Sequence, residues 1–198
     1  MKKILIALIV FLHVKDGSAQ FRLTDCINYT FNHMDSLAKA GKDAFEEWKN
    51  CVLGKQVPDF RATTISGDMI EMNKLTGKVV VMNFWSINCR PCIAEMPGMN
   101  KLVKEYKKKN VAFLAITWET VNRVKKDFLS RYKFDCVIVT DALHIIDEIA
   151  ASGYPTTYII DKKGVIQAAW NGGSTGEKAG QEYYKKTKLI IEGLLKME

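Results

Sequence analysis

Two periods of apolar residues alternate along the chain. Val79–Trp85 is apolar throughout except at Asn83, and Val111–Thr117 is a second such run. Continuous rather than alternating apolar runs of this length predict parallel strands covered on both faces. The segment between them, from Ile93 to about Lys108, is helix-compatible, so strand, helix and strand form a βαβ unit. Val121–Tyr132 places Val124, Phe128 and Leu129 on one helical face; Cys136–Val139 reads as a short strand and Asp141–Ala151 as a short helix. Thr156–Asp161 and Val165–Trp170 flank Lys162-Lys163-Gly164 and predict a hairpin. Phe60–Thr64 and Met69–Met72 flank Ile65-Ser66-Gly67-Asp68 in the same way. Glu177–Lys196 predicts a last helix with Leu189, Ile190, Leu194 and Leu195 toward the sheet.

The N-terminal part follows other rules. In residues 1–19, Lys2 and Lys3 precede the apolar stretch Ile4–Leu12, and Gly17-Ser18-Ala19 offers small residues for cleavage before Gln20. This is the pattern of a secretory leader. The apolar stretch is shorter than the about 20 residues that span a bilayer, and an uncleaved anchor is the alternative. Residues 20–53 form an extension in which Asp35–Lys49 carries Leu37, Ala38, Ala44, Phe45 and Trp48, predicting one or two short amphipathic helices. Residues 54–198 form the main domain, and no repeat or low-complexity segment interrupts them. Export places the protein in a compartment where disulfides persist.

Net charge changes the picture little. The formal value is +7, part of it lies in the leader, and the excess is spread along the chain. Lys107-Lys108-Lys109 follows a helical pattern, where a helix C-terminus favours cations. No basic motif is interleaved with aromatics, so nucleic acid is not an expected partner.

The five cysteines carry the chemistry. Cys89-Arg90-Pro91-Cys92 opens the helix that follows the strand Val79–Trp85. Free N–H groups and a partial positive charge at a helix start favour a thiolate, the only form of cysteine that attacks. Cys89 at the helix mouth is the expected nucleophile, and Cys92, one turn further in, the resolving thiol. Pro91 suits a first turn because no N–H partner is needed there. A zinc site is the first alternative, but it needs four ligands and only His33 and His144 lie outside the leader. A structural short-loop disulfide is the second. Cys26 and Cys51 flank the extension's predicted helices. In an exported protein they suggest a structural disulfide, with two free buried thiols or a second redox pair as alternatives. Cys136 is the odd cysteine and reads as a small buried hydrophobe.

Together with Asn83-Phe84-Trp85, Glu95, Pro97, Gly54-Lys55-Gln56-Val57-Pro58-Asp59-Phe60, Gly77-Lys78 and Gly153-Tyr154-Pro155-Thr156-Thr157-Tyr158-Ile159-Ile160-Asp161, the dithiol resembles the thioredoxin superfamily. The closer resemblance is to its TlpA/ResA-like branch of extracytoplasmic thiol–disulfide proteins. It implies an α/β thioredoxin-like fold, a central mixed β-sheet flanked by helices, here with a helical N-terminal extension. It implies that Glu95, three residues after Cys92, is a partly buried carboxyl of raised pKa that exchanges a proton with the resolving thiol. A solvated acid in the first turns of the helix is the alternative. It further implies that Pro155 is cis and faces the dithiol, with Tyr154 bordering the reactive sulfur and the backbone open to an extended substrate.

Two residues depart from the family pattern: Asn88 stands where a tryptophan usually precedes the first cysteine, and Asn83 where cytoplasmic thioredoxins carry a buried aspartate. Trp85 and Trp118 are candidate substrate contacts or packing residues, and Trp170 a core or hairpin-edge residue. The reading is thus an extracytoplasmic oxidoreductase that reduces disulfides of protein substrates and is recharged by a membrane thiol donor. No cofactor and no metal are expected. The resemblance suggests cytochrome maturation or general protein-thiol reduction. A peroxiredoxin-like peroxidase and a Cu(I)-binding or docking module of the same fold are the rivals.

Overall fold

A computed structural model describes residues 22–149 and 151–197; the expected leader lies outside the described residues. Three helices come first: α1 (Leu23–Asn32), α2 (Met34–Lys39) and α3 (Ala44–Val52). A two-stranded hairpin, β1 (Arg61–Thr63) and β2 (Met69–Glu71), leads through the 3-10 turn Met72–Leu75 into β3 (Val79–Phe84). Then follow α4 (Arg90–Glu105), β4 (Val111–Ile116), α5 (Val121–Arg123) running into a π-helical turn at Val124–Phe128, and β5 (Val137–Val139). The chain closes with α6 (Leu143–Glu148), β6 (Thr156–Ile160), β7 (Ile166–Asn171) and α7 (Ala179–Lys196).

The main sheet has the order β5-β4-β3-β6-β7. β4 runs parallel to both β3 and β5, whereas β6 is antiparallel to β3 and β7. All six residues of β3 are buried, as a continuous apolar run in a central strand requires. This is the expected mixed sheet flanked by helices.

Alternate residues of β3 face two separate cores. Val79, Val81 and Trp85 pack with Met96, Met99 and Leu102 of α4 and Tyr183, Ile191 and Leu194 of α7. Val80, Met82 and Phe84 pack with Ile145 and Ile146 of α6 and with Cys26, Trp48 and Val52 of the extension. The N-terminal helices therefore supply one layer of the sandwich. Trp48 is fully buried and stacks on Tyr158 at 5.8 Å, and Tyr158 meets Phe84 edge-on at 5.8 Å. Burying one such aromatic contributes about 2–3 kcal/mol.

Two expectations are corrected. The extension contains α1 as well as the helices across Asp35–Lys49, and both cysteines lie inside helices: Cys26 in α1 and Cys51 in α3. They are joined by a disulfide with Cα atoms 5.6 Å apart, tying the first helix to the third. α1 eluded the apolar pattern because its buried face is Leu23, Cys26 and Thr30, only one of them strongly apolar. The second correction concerns Leu189 of α7; Leu194 is buried and Ile190 and Leu195 pack against the same core, as expected. Leu189 is 75% exposed, and the buried line is Tyr183, Thr187, Ile191 and Leu194. The backbones of α4 and α7 touch at Gly98 and Gly180, where a Cβ on Gly98 would collide with the Gly180 carbonyl. That contact sets the rotation of α7.

The disulfide carries a stability prediction. It closes a 25-residue separation, for which the loop-entropy relation gives about 3–4 kcal/mol. The double variant Cys26→Ala/Cys51→Ala should melt about 6–16 °C below the wild-type oxidised protein, as read by calorimetry. An unchanged melting temperature would mean that the extension gains nothing from the cross-link.

Candidate active site

The site grows from the C-terminal end of β3. The Trp85 N–H donates to the Ile116 carbonyl at 3.1 Å, extending the sheet contact one residue past the strand. The chain then leaves the sheet, and the Cys89 N–H donates to the Ser86 carbonyl at 3.2 Å. Cys89 is the N-cap of α4, and its Sγ accepts the Cys92 N–H at 3.2 Å. Pro91 occupies the first helical turn. Cys89 and Cys92 form a disulfide, with Cα atoms 5.2 Å apart. The two sulfurs are unequal: Cys89 is half-buried, and Cys92 is only 3% exposed. A reagent from solvent meets Cys89 first, at the end of the helix where an anion is stabilised.

Glu95 lies one helical turn beyond Cys92 and is 5% exposed. Its Oε2 has no hydrogen-bond partner among the described residues. Burial pushes its carboxyl up to about 8, and the charge of Lys186 on α7 opposes that rise. Such a carboxyl is mostly protonated at neutral pH, with an ionised fraction that grows toward pH 8, within the working range of a thiol. The solvated first-turn acid is ruled out by this burial.

The Tyr154–Pro155 bond is cis, and the Pro155 carbonyl accepts the Gly172 N–H at 2.8 Å. The next residue, Thr156, pairs with Phe84, so Pro155 stands at the end of the sheet where the dithiol loop departs. Tyr154 is half-buried and packs against both cores. Burial raises its hydroxyl pKa, and the charges of Asp147 and Glu119 add to the effect.

Gly173 joins these parts, and the sequence analysis did not single it out. A Cβ on Gly173 would collide with Glu95 Oε1 and lie 3.4 Å from Pro155 Cγ. Only a glycine lets the carboxyl and the proline approach the same backbone. The signal available in the sequence was its place just after the hairpin strand, one residue past Gly172.

Other candidates separate clearly. Trp85, a candidate substrate contact or packing residue, is fully buried between Phe128 at 4.7 Å and Phe134 at 5.4 Å. It has no face to offer a substrate and forms the floor beneath the dithiol helix. Trp118 follows the end of β4 and is 42% exposed. Its neighbour Glu119 is buried and accepts the Arg123 Nη1 donor at 2.7 Å. Asn83 is buried and donates to Thr157 Oγ1 at 3.0 Å, so an uncharged pair lies in the central strand behind the site. Burial raises the thiol pKa of Cys136 and keeps it protonated, and Cys136 is a free buried cysteine outside both disulfides. Among the described residues, no group of three or more His, Cys, Asp or Glu is placed to hold a metal ion.

Comparison with known proteins agrees with this geometry. The AhpC/TSA family model matches residues 53–169, more than half of the chain. The chain belongs to the AhpC/TSA family. Within it, the relatives are of the ResA type. The chain is 38% identical over 132 residues to the thioredoxin-like protein YneN of Bacillus subtilis, covering 65% of this chain and 77% of that one. It is 34% identical over 143 residues to the thiol–disulfide oxidoreductase ResA of Bacillus cereus, covering 72% and 82%. The fold matches that of a thioredoxin-family thiol:disulfide interchange protein from Chlorobium tepidum, with a TM-score of 0.58 at 21% identity over 72% of this chain and 97% of that one. The matched span of this ResA-like thiol–disulfide oxidoreductase contains the dithiol, Glu95 and Pro155, and it begins after Cys51, beyond the extension's three helices.

Proposed function

We propose that the protein reduces disulfides of protein substrates outside the cytoplasm, with Cys89 as nucleophile, Cys92 as resolving thiol and Glu95 as the carrier of one proton. The observation that carries this reading is the asymmetry of the site: a half-exposed sulfur capping a helix, backed by a buried sulfur and a buried carboxyl of raised pKa one turn apart.

In the reducing half-cycle the Cys89 thiolate attacks one sulfur of a substrate disulfide. A Cys89–substrate disulfide forms and the first substrate thiolate leaves. Cys92 passes its proton to the Glu95 carboxylate and attacks Cys89 Sγ, expelling the second substrate thiolate. Two electrons have moved to substrate, and the protein is left with the Cys89–Cys92 disulfide and a neutral Glu95. In the recharging half-cycle a donor thiolate attacks Cys89 Sγ. Cys92 departs as a thiolate and takes back the proton from Glu95, and a second donor thiol releases Cys89. One proton thus moves between Cys92 and Glu95 while electrons pass through Cys89.

Oxidising compartments hold no adequate thiol pool, so the donor is proposed to be a membrane dithiol protein. Residues 1–19 are proposed as the leader that exports the chain, cleaved or retained as an anchor, with 20–53 as the extension and 54–198 as the redox domain. Tyr154 and Pro155 are proposed to border the bound substrate. The position of Pro155, at the sheet end where the dithiol loop departs and against Gly173, supports this.

The family match also favours one second reading, a thiol peroxidase. A single comparison separates the two. With a dithiol supplied, the purified protein should reduce insulin disulfides and should consume no peroxide above the rate of the dithiol alone. Peroxide turnover without insulin reduction would replace the proposal with the peroxidase.

A further inference from the structure

Glu95 lies under a strap of backbone that side chains elsewhere hold in place. Gly173 is exposed on its outer side, yet a Cβ on it would lie 3.0 Å from Glu95 Cδ and 3.4 Å from Pro155 Cγ. Beneath it Glu95 is only 5% exposed. The backbone at Gly173 therefore lies between the carboxyl and bulk water.

A glycine strap has no side chain of its own to pack. Gly172, with a φ of +75°, turns the chain out of β7, and Gly173 to Gly176 run on as an exposed stretch. Three hydrogen bonds fasten the start of this turn to the segment around the cis-proline. The Gly172 N–H donates to the Pro155 carbonyl at 2.8 Å. Asn171 Nδ2 donates to Thr156 Oγ1 at 2.8 Å, and the Thr156 hydroxyl donates to the Gly153 carbonyl at 2.8 Å. Asn171 is the last residue of β7 and stands opposite Thr156 in register. Its amide is seated against Gly153, where a Cβ would lie 3.2 Å from Nδ2. Thr156 is fully buried, so this chain of bonds is shielded from water.

We propose that Asn171 is a positioning residue for the proton transfer at Glu95: bonded through Thr156 to Gly153, it holds the Gly172–Gly173 strap over the carboxyl and against Pro155. The proposal rests on the reading of Glu95 as proton carrier. In the resolving step the proton leaves Cys92 Sγ for a Glu95 oxygen, the Cys92 thiolate bonds to Cys89 Sγ, and the substrate thiolate departs. With the strap fastened, water is kept from the carboxyl, which remains basic enough to take that proton. With the strap loose, water reaches the carboxyl, stabilises its charged form and makes it a weaker base.

Few charges stand near Glu95. The exposed Lys186 of α7 favours the carboxylate, against the larger effect of burial. Tyr183 of α7 is held protonated by burial, and burial likewise raises the hydroxyl of Tyr154 beside the cis bond. Cys92 of α4 is in the disulfide, and the Asn83–Thr157 pair of β3 and β6 is uncharged. The strap from Gly172 to Gly176 carries no ionisable side chain; Glu177 and Lys178 follow it, both exposed. Access of water is thus the quantity that the strap controls.

The test uses Asn171→Ala and Thr156→Val, which cut one fastening from its two sides, and the double variant, all in the full chain. The first readout is the Glu95 carboxyl titration by 13C NMR in the oxidised protein. The second is the pH profile of single-turnover substrate reduction by the reduced protein. Each single variant should bring the Glu95 midpoint about one pH unit lower and carry the acid limb of the rate profile down with it. The alkaline plateau should fall about threefold, as for a weaker base. The double variant should shift no further than either single one, because the two side chains make one fastening. Shifts that add would overturn the shared fastening, and a rate loss equal at every pH would overturn the assignment. An unmoved midpoint beside a Glu95→Gln variant that still flattens the wild-type limb would overturn Asn171 alone. A midpoint that moves while the limb stays would overturn the proton-carrier reading and Asn171 with it.

Discussion

Cys89→Ser loses disulfide-reducing turnover by more than about 10³-fold, a barrier increase of at least roughly 4 kcal/mol. A serine hydroxyl at the N-cap keeps a hydrogen-bond acceptor for the Cys92 N–H, so α4 keeps its start. What disappears is a nucleophile that ionises near neutral pH. Cys92→Ser fails differently, because the first attack needs only Cys89. That variant should release one substrate thiol per protein and then stop, with the other half of the substrate held on Cys89. Intact mass spectrometry reads the adduct directly. The burial difference between the sulfurs sharpens the contrast. In Cys89→Ser the remaining thiol is 3% exposed in the native arrangement and should form no such adduct at a comparable rate. Equal trapping by both single variants would contradict the assignment of roles.

Glu95→Gln carries the second large effect, and it has two sides. Folding raises the carboxyl from its ordinary 4.5 to about 8, so the folded protein holds that proton more tightly than the unfolded chain. The associated stability is fully present below about pH 4.5 and is lost as pH rises through about 8. Linkage sets an upper bound of roughly 5 kcal/mol on the loss. Glutamine carries no such titration. In denaturant unfolding of the oxidised proteins, the stability of Glu95→Gln minus that of wild type should therefore grow by several kcal/mol between pH 5 and pH 9. A difference that stays flat with pH would show that the carboxyl titrates as it does in water. Activity should move the other way: without a proton acceptor for Cys92, the resolving step slows by about 10²-fold and its pH profile loses the limb near 8. The same substitution should thus stabilise the fold in alkali and impair the enzyme.

Much of this arrangement was readable before any coordinates. The strand Val79–Phe84, the dithiol at the mouth of α4 and the paired β6 and β7 each announce themselves locally, through an apolar run, a spacing of two residues and a turn composition. Glu95 was singled out by the family resemblance, and the i to i+3 spacing on one helix then places it near Cys92. The unreadable parts depend on distant chain segments. On α7 the apolar count found Ile190, Leu194 and Leu195 but misplaced Leu189 and missed Ile191, because the helix's rotation also depends on the contact of Gly98 with Gly180, 82 positions apart. Gly173 matters because the chain returns past Pro155 onto Glu95, a tertiary event with no local signature. Trp85 reads as a rim residue in sequence, whereas Phe128 and Phe134 close over it in the fold. α1 buries a cysteine and a threonine, and its inward face becomes recognisable only with Cys51 opposite.

The central claim is that the Cys89/Cys92 pair works as a reductant. Its reduction potential, measured by equilibration of the full protein with dithiothreitol or glutathione buffers, tests that most directly. The account predicts a value near that of thioredoxin, about −270 mV. A value near −120 mV would make the pair an oxidant and contradict the direction of electron flow proposed here.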